Sequence, residues 1–198
     1  MKYPIVIAAL LGAFAALPAH AATDEYDVAQ CVVDNDAHDA KMLLSTLPGS
    51  DGERRVGAKL MDLYGGCNDN RLATGQIAWR ERAEIANAAL LTWLDGGRFD
   101  VASPPPRARW ALSVADGGSN YDRHLVSIRQ FGDCVVALNP AGALNLARSA
   151  RGSADERAAI GALAPALNDC LAPGKNFRVK RDDLRLIVAE PLYHMVSR

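Results

Sequence analysis

The segment CVVDNDAHDAKMLLSTLPGSDGERRVGAKLMDLYGGC, residues 31–67, returns 103 positions later as CVVALNPAGALNLARSARGSADERAAIGALAPALNDC, residues 134–170. Cys31-Val32-Val33 falls on Cys134-Val135-Val136, Gly49-Ser50 on Gly152-Ser153, Glu53-Arg54 on Glu156-Arg157, and Cys67 on Cys170. With Ala40/Ala143, Leu43/Leu146 and Leu60/Leu163, 11 of 37 positions are identical without a gap. Self-similarity at a fixed offset marks a repeated structural unit. The chain reads as an internal duplication.

The copied unit reads as helical. Val28, Cys31 and Val32 match Phe131, Cys134 and Val135 on one face of a short first helix. Ala40, Leu43, Leu44 and Leu47 match Ala143, Leu146, Ala147 and Ala150, an i, i+3, i+4, i+7 stripe of the kind that faces a core. Val56, Leu60, Leu63 and Tyr64 match Ala159, Leu163, Ala166 and Leu167, and the second cysteine of each copy continues that face. Asp36 and Asn139 suit the N-cap of the second helix, where a short side-chain oxygen can accept from the free N–H groups of the first turn, and Pro140 suits that turn. Gly49 and Gly152 are placed to end the second helix in a left-handed conformation. Ser50 with Glu53, and Ser153 with Glu156, form S-x-x-E capping boxes that start a third helix. The two glutamates thus read as caps rather than catalytic carboxylates, and an αα-hairpin follows.

All four cysteines stand at the ends of the repeated segment, 36 residues apart in each copy. Four cysteines allow three pairings, and the duplication favours Cys31–Cys67 with Cys134–Cys170. A loop of this length closed by a disulfide gains roughly 3–4 kcal/mol in the chain-entropy model. Buried free thiols are the competing reading. No C-x-x-C pair exists for redox catalysis, and no two cysteines or histidines lie close enough in sequence for a zinc site.

A fourth helix is expected in each half, with stripes Ala83, Ala86, Leu90, Trp93, Leu94 and Leu184, Ile187, Val188, Leu192, Met195. These align between the copies only with a gap, and Pro191 is expected to kink or interrupt the last helix. Glycine-bearing connectors precede both, and Lys175 to Val179 alternates weakly as a short strand would. Between the halves lies the one long segment without a counterpart, with a stiff Pro104-Pro105-Pro106, a short helix carrying Trp110, and a turn at Asp116 to Asn120. The organisation expected is 22–95 for module 1, 96–121 for a Pro/Gly-rich linker and 122–198 for module 2. Each module is all-α with about four helices.

Residues 1–21 read as a secretory signal peptide: Lys2, an apolar run from Pro4 to Ala16, and a small-x-small site at Ala19-His20-Ala21. The run is shorter than the roughly 20 residues of a spanning helix. Cleavage after Ala21 would release a chain beginning at Ala22, periplasmic or secreted. Formal charge is −1 from 22 Lys and Arg against 23 Asp and Glu, and loss of Lys2 makes it −2. Both signs are scattered, which argues against nucleic acid and anionic lipid as partners.

Cys134-Val135-Val136, Gly152-Ser153, Glu156-Arg157, Cys170, Gly174, Arg181 and Ala189-Glu190-Pro191-Leu192-Tyr193 together resemble a set of uncharacterised exported bacterial proteins with a duplicated two-cysteine helical module. The likeness covers most of the mature chain, better in its second half, and departs from the family pattern at Pro191, where alanine is expected. It implies the architecture and no activity.

Candidate chemistry is sparse. Asp34 and His38 have helical i, i+4 spacing that could hold a metal weakly, but Asp36 is better used as a cap and Asp39 favours a helix start. The second copy carries Ala137 and Ala141 at the two positions, so no metal ligand, cofactor or catalytic residue is assigned. His124 lies near Asp122 and Ser119, an arrangement that only geometry could make meaningful. His194, beside Tyr193, reads as a surface histidine. No nucleophile elbow, zinc-protease, phosphate-loop or dinucleotide motif is present. The expectation is a non-enzymatic exported helical protein that serves as an interaction module for an envelope protein. The rival is a periplasmic hydrolase or small-ligand binder using the region around His124.

Overall fold

The computed structural model describes residues 25–67, 79–95, 123–171 and 179–196, and all regular structure among them is helical. The first half holds α1 (Glu25–Asn35), α2 (Ala37–Ser45), α3 (Asp51–Cys67) and α4 (Trp79–Asp95). The second holds α5 (Arg123–Leu138), α6 (Pro140–Arg148), α7 (Ala154–Cys170) and α8 (Arg181–Val196). The expected leader at 1–21, the expected linker at 96–121 with Trp110, and the expected connector stretches 72–78 and 172–178 fall outside the described residues.

The expected caps form. Asp36 accepts from the Asp39 N–H at 2.9 Å and Asn139 from the Gly142 N–H at 2.8 Å, with Pro140 in the first turn of α6. Ser50 Oγ accepts from the Glu53 N–H at 3.1 Å, and Ser153 Oγ from the Glu156 N–H at 3.0 Å. Two details differ from expectation. The second helices stop early, at Ser45 and Arg148, because Thr46 and Ser149 turn extended and bond their hydroxyls back to the carbonyls of Leu43 and Leu146. Gly49 and Gly152 do take positive φ, 79° and 74°, but inside the following turn rather than at the helix end. There each glycine N–H donates to the glutamate carboxylate four residues on.

Cys31–Cys67 and Cys134–Cys170 are disulfides, with S–S 2.02 Å in both and Cα–Cα 5.9 and 5.7 Å. Each ties the first helix of its half to the end of the third. One apolar cluster runs through both halves, from Val28, Leu43 and Leu60 through Ile85 and Leu90 to Val135, Leu146, Leu163, Val188 and Leu192. The halves meet chiefly through α4 and α8. They share a core.

The fourth helices correct the sequence reading twice. Positions 103 apart in α4 and α8 occupy equivalent places without any gap, as Arg82 and Arg185 demonstrate below. Pro191 does not interrupt α8, which runs unbroken from Arg181 to Val196. Proline has no N–H for the carbonyl four residues back, here Ile187. Gly132 of α5 brings backbone against that carbonyl and against the proline ring, since a Cβ at 132 would overlap Ile187 O and lie 3.1 Å from Pro191 Cγ. In the first half the corresponding positions are Ala29 and Ala88, both fully buried.

Candidate functional site

Two features set the described residues apart from a plain helical core: a buried charge network and an open groove. Arg82, on the inward face of α4 and 0% exposed, is ringed by acceptors. Its Nε and Nη2 donate to Glu190 Oε1 at 2.9 and 2.7 Å, and its Nη1 to Glu53 Oε1 at 2.8 Å and Thr46 Oγ1 at 3.1 Å. Nη2 also reaches the Thr46 carbonyl at 2.9 Å and the Leu44 carbonyl at 3.4 Å. Arg185 repeats the pattern with the residues 103 positions on: Glu156 Oε1 at 2.9 Å, Ser149 Oγ at 3.1 Å and the Ala147 carbonyl at 2.9 Å. The arginine thus satisfies the carbonyls and hydroxyl that the early helix end leaves exposed, and the capping glutamate neutralises it. A fork of five N–H donors suits this task in a way a lysine would not.

The halves differ at one position. Glu190 of α8 reaches Arg82 and also pairs with Arg129 of α5. Its counterpart 103 positions earlier is Asn87, 1% exposed, whose Oδ1 has no hydrogen-bond partner among the described residues. Glu156 gains its second cation from Arg181 at 2.7 Å instead. Burial alone would raise the Glu156 carboxyl, but hydrogen bonds from Arg185, the Gly152 N–H and Arg181 outweigh it and hold the pKa below the ordinary carboxylate value. Burial pulls the Arg82 guanidinium down from its usual value, with Glu53 opposing. Arg80–Asp183, Arg82–Glu190 and Arg151–Glu84 all join one half to the other. The network is a structural tie between the halves.

The groove lies where α1, α2, α4 and α8 adjoin, with a volume of about 330 Å³. Val33, Ala37, Ala40 and Ala89 supply apolar walls and Trp93 an aromatic one. Lys41, Thr92 and Tyr193 are its polar members. Tyr193 is 6% exposed, its hydroxyl has no hydrogen-bond partner among the described residues, and burial pushes its pKa up. Thr92 Oγ1 accepts from Gln30 Nε2 at 3.2 Å.

Of the residues singled out in sequence, the structure brings together the four cysteines and Ser50, Glu53, Ser153 and Glu156, the glutamates serving both as caps and as counter-ions. His38 is exposed on α2, while Asp34 accepts from Gln30 Nε2 at 2.8 Å and Asp36 is occupied as a cap. Among the described residues no group of three His, Cys, Asp or Glu could hold a metal ion. His124 falls in the first turn of α5. His194 is not a surface residue: its side chain is 16% exposed, with Nε2 3.5 Å from Glu190 Oε1. Among the described residues no helix is long and apolar enough to cross a membrane. Sequence reasoning assigned no role to Arg82, Arg129 or Arg185 and met Glu190 only within the resemblance, though the offset of 103 carried past the second cysteine would have paired Arg82 with Arg185.

Comparison of the chain with protein-family models, with curated proteins and with solved structures finds no match.

Proposed function

We propose that the chain is an exported, non-enzymatic helical protein of the bacterial cell envelope, made by duplication of one disulfide-closed module, that binds a protein partner in the groove of α1, α2, α4 and α8. Two disulfides suit an oxidising compartment, in keeping with the leader at 1–21. Recurrence of the Arg82 surroundings at Arg185, with the same offset as the cysteines, supports the duplication. The observation that carries the binding reading is Tyr193, an almost buried residue among the lining of an apolar recess, whose hydroxyl has no hydrogen-bond partner among the described residues. A hydroxyl so placed can fix the orientation of whatever enters the recess. Met42 and Leu138 are the exposed large hydrophobics among the described residues. That scarcity favours one anchoring side chain inserted into a recess over a broad apolar contact.

The test is site-directed photocrosslinking in living cells. A photoreactive residue at Asp34, exposed on α1 beside the groove-lining Val33, is expected to yield one discrete adduct, absent when the probe stands at Ala164 on α7. Ala37→Trp, which fills the recess from its rim, should abolish the adduct. Adducts alike from both positions, or unaffected by Ala37→Trp, would overturn the reading.

A further inference from the structure

Three properties of the groove restrict what can fill it. Its walls are apolar and its volume, about 330 Å³, stands at the low end of ligand sites, enough for one or two side chains. Its hydroxyls are poised to donate. Tyr193 has no partner, and Thr92, whose oxygen accepts from Gln30, keeps its own proton for an outside acceptor. Its one cation, Lys41, makes no ion pair among the described residues. Asp34 on α1 accepts from the same Gln30 amide that donates to Thr92, so Lys41 is the positive charge that must outweigh that carboxylate at the groove's edge.

An apolar recess bordered by two hydroxyl donors and an unpaired ammonium asks for a compact anion attached directly to an apolar group. In a polypeptide, an apolar side chain and a negatively charged acceptor belong to one residue only at the carboxyl end. We infer that the groove receives the carboxyl terminus of a partner chain whose last residue is apolar. The side chain lies against Val33, Ala40, Ala89 and Trp93, and the terminal carboxylate accepts from Tyr193 and Thr92 and faces Lys41. This rests on the reading that a protein partner occupies the groove, and it adds the chemistry that selects the partner.

Calorimetric titration of the mature chain with five N-acetylated hexapeptides ending in Leu, Ile, Val, Met or Phe tests it. Each is used with a free carboxyl end and as the terminal amide, beside free 4-methylpentanoate. At least one free-acid peptide should bind, and its amide should bind about tenfold or more weakly, the size of a lost charge-assisted hydrogen bond. Tyr193→Phe and Lys41→Gln should each shrink that difference while leaving helical content unchanged. Amides that bind as well as acids would overturn the carboxylate contact. 4-Methylpentanoate binding as tightly as the best peptide would overturn the polypeptide end as occupant. No peptide binding while the Asp34 adduct still forms would overturn this inference and leave partner binding standing; loss of both would end both.

Discussion

A guanidinium cut off from water needs acceptors around its whole edge, and Arg82 finds them in two carboxylates, one hydroxyl and the carbonyl of a helix end. Such a cluster is not worth its summed contacts, because each charge first gives up its hydration; deleting one member, however, strands the others. Arg82→Leu should therefore destabilise the fold by about 3–5 kcal/mol, since Glu190 and Glu53 lose their shared partner. In urea unfolding, the double variant Arg82→Leu with Glu190→Leu should recover part of that loss, although Arg129 then lacks its carboxylate. A double variant no more stable than Arg82→Leu alone would mean that Glu190 is not the stranded charge. The cluster was hard to foresee from sequence. Arginine and glutamate within a helix ordinarily mark a solvated face, and only packing reveals that this face is covered.

At the scale of the element, α8 keeps its course through Pro191 because a neighbour has given up its side chain. Gly132→Ala would drive a methyl group into the Ile187 carbonyl, and backbone cannot swing aside as a long side chain can. The expected loss is about 1–3 kcal/mol, the usual scale for overpacking, read from thermal unfolding. Pro191→Ala should soften that loss, because Ile187 O regains its helical donor and the ring beside Gly132 disappears; additive effects would show the two positions to be uncoupled. Much at this scale was legible. Asp36, Asn139, Ser50 and Ser153 stand at helix starts because their short oxygens meet free N–H groups close by in the chain. The ends of α2 and α6 were misjudged because Thr46 and Ser149 turn the chain there with the help of arginines far away in sequence. The proline was misjudged for the same reason: its remedy sits on another helix.

The whole molecule binds two closed loops into one body. Because Leu43, Ile85, Val135 and Val188 belong to a single apolar cluster, neither half should melt alone. Replacing Cys31 and Cys67 with serine should lower stability by about 3–4 kcal/mol, the chain-entropy value for a 36-residue separation. Fluorescence and circular dichroism should still trace one coincident transition, and two separated transitions would refute the shared core. The cysteine pairing was readable because the repeated spacing favours closure within each copy over the two other pairings, and the groove was not, because its walls come from four helices and acquire meaning only when assembled. One contact between the halves has a further bearing. Arg80 meets Asp183, its counterpart 103 residues on. Were two identical chains to associate this way as a homodimer, that place would set like charge against like. Carrying both partners on a single polypeptide frees the two positions to become opposites, so attraction stands where strict symmetry would impose repulsion.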